Sequence, residues 1–215
     1  MARIEQGILG PFSGKVGEVI GSSWKGIPYI KARPTQFHDA KTPKQLTHRM
    51  QLQAAHSFVR TIKPLIEIGF RNVTGTQTPY NKAVSCVLKN AVVGEYPELG
   101  IAPNKIIVSQ GVLAKVDGCK ASIQEDGNII FSWEEQNSPS EDLDHIEATI
   151  LAYNFAKQQG KWTSVCQSEH QGAIKISTDW QGDAIACYIF FASTTSAEVS
   201  DSEFLGTFSS KKSIT

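Results

Sequence analysis

The sequence has no long hydrophobic run, and its 21 Lys and Arg residues are balanced by 21 Asp and Glu residues. None of its apolar stretches approaches the roughly 20 residues that a membrane-spanning helix needs. The opening residues, 1–7, contain one arginine and lead into no apolar stretch of the kind found in secretory signals. We therefore expect a protein that is made in the cytoplasm and does not insert into a membrane.

Cysteine is scarce and is not arranged for metal binding. The four cysteines are separated by 33, 47 and 21 positions, and no Cys-x-x-Cys occurs: Cys86, Cys119, Cys166 and Cys187. Structural zinc sites need short paired spacings that these residues lack. We expect the four side chains to be small buried hydrophobic groups in a reducing compartment.

Motifs for metal, nucleotide or nucleophilic chemistry are lacking as well. His48 and His56 are eight positions apart on a predicted helix, which is too far for both to bind one ion. The acidic run 140–144 lacks the spacing of a calcium loop. The segment 10–15 is one residue short of a phosphate-binding loop, and Val16 stands where that loop needs a hydroxyl. Gly-x-Ser-x-Gly is absent. We expect no metal, no cofactor and no catalytic residue, and we predict that the protein is not an enzyme.

Charge is distributed unevenly along the chain. Residues 1–100 contain 13 Lys and Arg against 6 Asp and Glu, whereas residues 101–215 contain 8 against 15. The neutral total therefore hides a basic front half and an acidic back half. We predict two regions with different surfaces, divided at about Gly100, and a basic region that meets something anionic.

The front half is predicted to contain a β-hairpin followed by two or three helices. Glycines interrupt the short apolar runs of residues 7–33, and Lys25-Gly26 is a plausible turn between two strands. Thr42-Pro43 is a typical helix start, and apolar residues recur every four positions up to about Ile62. A break follows at Lys63-Pro64, and the same start signal at Thr78-Pro79 predicts a further helix up to Gly94.

After residue 100 the hydrophobic period changes from 3.6 to 2. Turn residues separate eight stretches with strand character: 105–110, 119–123, 128–133, 146–155, 161–166, 173–177, 184–192 and 203–207. Seven or eight short strands in about 105 residues are typical of an antiparallel β-sandwich. The fold class is therefore predicted to be α+β, with an immunoglobulin- or fibronectin type III-like sandwich after the helices.

Two of the cysteines and one tryptophan have the order seen in immunoglobulin domains. Cys119, Trp133 and Cys187 all fall on the apolar side of predicted strands. A disulfide between Cys119 and Cys187 is one alternative, and two free thiols are the other. The absence of an export signal favours the free thiols.

Residues 10–31, which read GPFSGKVGEVIGSSWKGIPYIK, resemble the opening of a family of bacterial proteins known as a domain of unknown function. The resemblance extends through Thr42-Pro43 and residues 45–49, and it reappears at residues 182–191 and 199–202. It covers most of the chain. It implies one recurring architecture, but it supplies no activity, cofactor or catalytic residue.

The hairpin carries the best candidates for a binding surface: Lys15, Trp24, Lys25, Tyr29, Lys31 and Arg33. Cations interleaved with aromatic rings can hold a nucleic-acid backbone and stack on its bases. Strict alternation does not require Trp24 and Tyr29 to share a face. The rings could instead pack on the helix that begins at Pro43, or on another subunit.

These observations favour a non-catalytic structural or interaction protein whose partner is another protein or a second copy of itself. Unpaired edge groups of the hairpin could be extended by another chain, and the charge asymmetry favours head-to-tail contacts. Two alternatives remain open. One is a nucleic-acid-binding module that uses the basic hairpin, and the other is a carbohydrate- or ligand-binding sandwich that uses exposed aromatics such as Trp162 or Trp180.

Overall fold

The computed structural model describes residues 3–4, 10–24, 26–36, 39–124, 127–134 and 145–209. The chain divides into two compact units, Met1–Thr42 and Pro43–Thr215. The predicted division at Gly100 is a boundary in charge, and it falls inside the second unit. The reason is that the helices of the front half share a hydrophobic core with strands of the back half.

The first unit is a four-stranded antiparallel sheet. Its strands lie side by side in chain order: β1 (Arg3–Ile4), β2 (Phe12–Val16), β3 (Val19–Trp24) and β4 (Ile27–Ala32). The sheet is larger than the predicted hairpin because two further strands extend it on the β3 side.

Glycine allows the tight turns of this sheet. The turn between β2 and β3 contains Gly17, whose φ is +57°. The turn between β3 and β4 contains Gly26, whose φ is +81°, and it joins the directly paired residues Trp24 and Ile27. Two-residue hairpin turns need left-handed backbone of this kind. The pairing fixes which side chains share a face of the sheet.

The second unit begins with three helices, α1 (Pro43–Thr61), α2 (Lys63–Gly69) and α3 (Pro79–Cys86). The helices α1 and α3 begin at the predicted Thr-Pro signals, and the predicted break at Lys63-Pro64 separates α1 from α2. Thr78 caps α3, because its hydroxyl accepts a hydrogen bond from the Asn81 amide at 3.2 Å. None of the described helices is long and apolar enough to cross a bilayer. The apolar positions of α1 are buried in its second half: Ala55, Phe58 and Val59.

The last predicted helix ends earlier than Gly94, which corrects the prediction. A π-helical turn at Val87–Ala91 follows α3, and a hairpin of β5 (Val92–Glu95) and β6 (Glu98–Ile101) comes next. The two valines of β5 fit a helical and a strand pattern alike. The strand prevails because Gly94 has a φ of +92° and because β6 supplies the pairing groups.

The predicted strand over residues 105–110 is not a strand in the structure. Its backbone groups bond to separate elements and do not form a ladder. The Gln110 amide donates to the Gly69 carbonyl at 3.1 Å, and the Val108 amide donates to the Ser202 hydroxyl at 3.0 Å. Val108 is fully buried, so the apolar pattern here reflects burial of an irregular segment.

The strands of the sandwich are β7 (Lys120–Ile123), β8 (Asn128–Ser132), β9 (Ile146–Asn154), β10 (Gln159–Cys166), β11 (Gln171–Lys175), β12 (Ala184–Ser193) and β13 (Glu203–Ser209). One sheet has the order β10-β9-β12-β13, and the other has the order β11-β8-β7. All of their pairings are antiparallel. This is the predicted sandwich of the immunoglobulin or fibronectin type III kind.

Two hydrophobic clusters lie on the two sides of β9 and β12. The inner cluster fills the sandwich and includes Phe131 and Ile150. The outer cluster joins Tyr153 and Tyr188 of these strands to Phe58 of α1. Since β12 is buried on both faces, its sequence is a continuous apolar run. The helices therefore cover the outer face of the sandwich sheet β10-β9-β12-β13.

The Cys119, Trp133 and Cys187 pattern is brought together in the inner cluster, and both cysteines are free thiols. The Trp133 ring lies edge-on to Phe191 with 6.0 Å between centroids. Its Nε1 donates to the Gln167 carbonyl at 2.9 Å. Burial raises the pKa of both thiols to about 12, so each is a protonated, unreactive group at neutral pH.

Candidate interaction face of the N-terminal sheet

Pairing in the first unit brings four of the predicted binding residues onto one face. Lys15 lies opposite Ile20, and Ile20 lies opposite Lys31. Trp24 and Tyr29 follow on the same face, because side chains at alternate positions of a strand point to the same side. We call this surface, formed by Lys15, Ile20, Trp24, Ile27, Tyr29 and Lys31, the basic aromatic face.

Large side chains of the basic aromatic face are open to solvent. Trp24 and Ile27 are each 65% exposed, and Tyr29 is 41% exposed. The Lys31 ammonium lies 5.9 Å from the centre of the Tyr29 ring, within the range of a cation–π contact. Positive charge and aromatic surface are thus adjacent on this face.

Arg33 and Lys25 complete the predicted set at its margins. Arg33 follows β4, and its amide donates to the Glu18 carbonyl at 2.6 Å. Lys25 lies outside the described residues. The described part of residues 10–36 contains three cationic side chains, Lys15, Lys31 and Arg33. It contains one acidic side chain, Glu18, so this region is cationic.

The opposite face of the sheet is apolar. Phe12 of β2 packs over Gly21 of β3, where an added Cβ would meet the Phe12 ring at 2.6 Å. Beside this pair, Val16, Val19 and Ile30 are exposed, Ile30 to 66%. We call this surface, formed by Phe12, Val16, Val19, Pro28, Ile30 and Ala32, the apolar face.

The outer edge of β4 is poorly suited to pairing with another strand. The Arg33 amide bonds to Glu18, the residue before β3. The alternate residues of β4, Pro28, Ile30 and Ala32, therefore direct their backbone groups away from β3. Pro28 has no N–H to offer, and proline at this position is typical of a strand that stays at a sheet edge. The expectation that another chain extends this edge is therefore weakened, and the two faces are the surfaces suited to a partner.

The tryptophans of the sandwich are not exposed rings. Trp180 is fully buried in the inner cluster, and its Nε1 donates to Gln159 Oε1 at 3.0 Å. Trp162 is partly buried and packs against the outer cluster. Burial therefore excludes Trp180 as a sugar-binding platform, whereas Trp162 keeps part of its surface accessible, so the carbohydrate-binding alternative stays a prediction that rests on Trp162.

A cavity of about 580 Å³ lies between α1 and the sandwich. Its lining includes Phe58, Tyr153 and Phe155, whose ring centres are 4.7 to 5.9 Å apart. Gln53 and Gln158 contribute polar groups. The cavity has the size of a small-molecule pocket, but none of the described residues that line it is charged.

No group of three or more His, Cys, Asp or Glu residues that could hold a metal ion occurs in the described part of the chain. His56 forms a hydrogen bond with Tyr80, in which the tyrosine hydroxyl lies 2.9 Å from His56 Nδ1. His48 is exposed on the same helix. The acidic run 140–144 lies outside the described residues.

Solved structures that are similar to this chain match about half of its length. The chicken interferon gamma receptor alpha chain matches at 10% identity and a TM-score of 0.38, over 54% of this chain and 57% of the receptor chain. The fn3 domain of human contactin 1 matches at 11% identity and a TM-score of 0.34, over 49% of this chain and 84% of that domain. The fn3 domain of human collagen alpha-1(XX) chain matches at 10% identity and a TM-score of 0.34, over 50% and 92%.

No curated protein matches the sequence. One protein family does, over residues 11–206: a family of unknown function, DUF6266.

Proposed function

Because the chain belongs to the DUF6266 family, whose function is unknown, we propose a role from its own surface: a non-catalytic interaction protein that assembles with further copies of itself through the N-terminal sheet. One observation carries the proposal. Among the described residues, six of the ten exposed large hydrophobic side chains lie in this one small sheet: Val16, Val19, Trp24, Ile27, Tyr29 and Ile30.

A sheet of this kind needs a partner for physical reasons. Sheets are stable when at least one face is buried against another element. Ile27 on the basic aromatic face and Ile30 on the apolar face are both about two-thirds exposed. Exposed large apolar side chains that lie close together on one surface are typical of an interaction site. A partner that covers either face would bury these side chains.

Charge supports a second copy as that partner. The sheet is cationic, whereas the region after residue 100 carries 15 acidic against 8 basic residues. Opposite charge on different parts of one chain favours contacts between the front of one copy and the back of another.

Serine substitutions test the proposal. Ile27→Ser and Ile30→Ser each remove one exposed apolar side chain, one from each face, and Val112→Ser is the matched control because Val112 is 81% exposed outside the sheet. Burying an isoleucine contributes about 1.5–3 kcal/mol, so a variant at a buried interface should dissociate about 10- to 150-fold more readily. Sedimentation equilibrium across a concentration series measures this change.

The outcome is decided by comparison with the wild type. The proposal expects a wild-type multimer, weaker assembly for at least one sheet variant, and no effect of Val112→Ser. A wild type that stays monomeric at every concentration would refute it. So would a multimer that neither sheet variant weakens.

The shared face of Lys15, Trp24, Tyr29 and Lys31 supports nucleic-acid binding as a second candidate. A labelled single-stranded oligonucleotide should then bind with an affinity that falls steeply as salt rises, and Lys15→Glu with Lys31→Glu should abolish the binding. Fluorescence anisotropy tests this. An unchanged anisotropy at low salt would exclude it.

A further inference from the structure

The tip of the β5–β6 hairpin has an unusual arrangement of charge. Glu95 and Glu98 are directly paired across the two strands, with the turn residues Tyr96 and Pro97 between them. Like charges in directly opposite positions repel each other and destabilise a hairpin. Neither carboxylate forms a salt bridge with any described residue of the chain. A cation from outside would relieve this repulsion.

The same tip exposes apolar and aromatic surface. Tyr96 is 46% exposed and Val93 is 40% exposed. Together with the two carboxylates, they form a small surface that we call the acidic tip: Val93, Glu95, Tyr96 and Glu98. Its chemistry is the counterpart of the basic aromatic face, where two lysines flank apolar and aromatic side chains.

The spacing of the charges also agrees. Lys15 and Lys31 lie on β2 and β4 with Ile20 of β3 between them. Two strand spacings separate their Cα atoms by about 10 Å. The Cα atoms of directly paired residues such as Glu95 and Glu98 are about 5 Å apart. Because the paired carboxylates are attached closer together than the two lysines, each carboxylate can be approached by one lysine side chain.

We propose that the acidic tip of one copy docks on the basic aromatic face of a second copy. This inference rests on the proposed function, and it places the acidic surface that receives the sheet at the β5–β6 tip instead of in the region after residue 100. Because the two surfaces differ, the contact is heterologous, so assembly continues from copy to copy as a ring or an open chain. Nucleic acid on the same face is the competing occupant.

Charge reversal on each side provides the test. One variant carries Lys15→Glu and Lys31→Glu, and the other carries Glu95→Lys and Glu98→Lys. All four positions are exposed, so the fold should tolerate the changes. A control with Lys120→Glu and Lys175→Glu makes the same charge change at exposed positions of the sandwich. Circular dichroism confirms that each variant is folded.

Each reversal alone should weaken assembly about 10- to 100-fold at low salt, because like charges then face each other. An equimolar mixture of the two variants should recover the wild-type mass, since the reversed face of one matches the reversed tip of the other. A single chain with all four substitutions should assemble as well. The control should behave as the wild type. Light scattering measures all five samples.

The possible failures are distinct. A wild-type multimer that withstands Glu95→Lys with Glu98→Lys would overturn the acidic tip and leave the proposed function standing. Variants that both dissociate but do not recover on mixing would also overturn it. A monomeric wild type would overturn the proposed function itself. If that monomer binds an oligonucleotide through Lys15 and Lys31, the competing occupant is correct.

Discussion

Phe58→Ala should destabilise the helices and the sandwich together. Phe58 is 2% exposed on α1, and its ring lies 4.8 Å from Tyr153 and 5.9 Å from Phe155, centre to centre. Removing a buried phenylalanine costs about 3–5 kcal/mol through lost transfer energy and the cavity that remains. In a unit of this size, that cost lowers the melting temperature by about 6–20 °C.

Two probes separate the layers of the second unit. Far-ultraviolet circular dichroism at 222 nm follows the helices. Tryptophan fluorescence follows Trp133 and Trp180 in the inner cluster when it is measured in a background with Trp24→Phe and Trp162→Phe, because Trp162 packs against the outer cluster and Trp24 lies in the N-terminal sheet. Phe58 packs against Tyr153 of β9, and the neighbouring residues of β9 line the inner cluster. The urea midpoints measured by the two probes should therefore fall by the same amount. Leu52→Ala, at a partly exposed position of α1, is the control and should change neither by more than about 0.5 kcal/mol. A fall in the circular dichroism midpoint alone would mean that helices and sandwich unfold separately, and it would refute the shared core.

Two further predictions concern the thiols and the N-terminal sheet. Because the pKa of Cys187 is raised to about 12 by burial, the folded protein keeps a proton that the unfolded chain loses above pH 9. The free energy of unfolding should therefore be unaffected below about pH 8 and fall between pH 9 and 12, by up to about 4 kcal/mol for this thiol. Urea titrations of Cys187→Ala should show a shallower alkaline fall, and an identical pH profile would contradict the prediction. Separately, Gly21→Ala should weaken assembly because the new Cβ meets the backbone carbonyl oxygen of Phe12 as well as its ring, so β2 itself must shift, whereas Gly100→Ala, with open space at its Cβ, should not. Equal assembly of the two variants would argue against the tight Phe12–Gly21 contact.

The sandwich and the helix starts could be predicted from local patterns. Thr-Pro pairs mark the beginnings of α1 and α3, and alternation with turn signals marks the seven strands. Residues 105–110 have the same apolar pattern but no neighbouring strand, and their hydrogen bonds go to Gly69 and Ser202 instead. Only the tertiary arrangement distinguishes these two situations.

The extent of the second unit was harder to predict from the sequence. The charge boundary at Gly100 separates surfaces, whereas the structural unit begins at Pro43 because α1 packs on the outer face of β9 and β12. The apolar run of β12 indicates that the sandwich sheet has a covered outer face. A strand that is apolar at every position must be covered on both faces.

The candidate site was predictable in its residues but not in its geometry. Trp24 and Tyr29 share a face only because the turn between them contains two residues, so that Trp24 pairs with Ile27. The acidic tip could not be predicted, since the helical pattern extends up to Gly94 and no strand is predicted for residues 92–101. The opposition of Glu95 and Glu98 exists only once that hairpin forms.

Light scattering of the purified chain at low and high salt tests the central claim most directly. The account predicts a multimer at low salt whose mass falls as salt rises, because the cationic sheet meets acidic surface on a second copy and salt screens that attraction. A monomer at every salt and protein concentration would contradict self-assembly. A multimer whose mass does not respond to salt would contradict the charged contact.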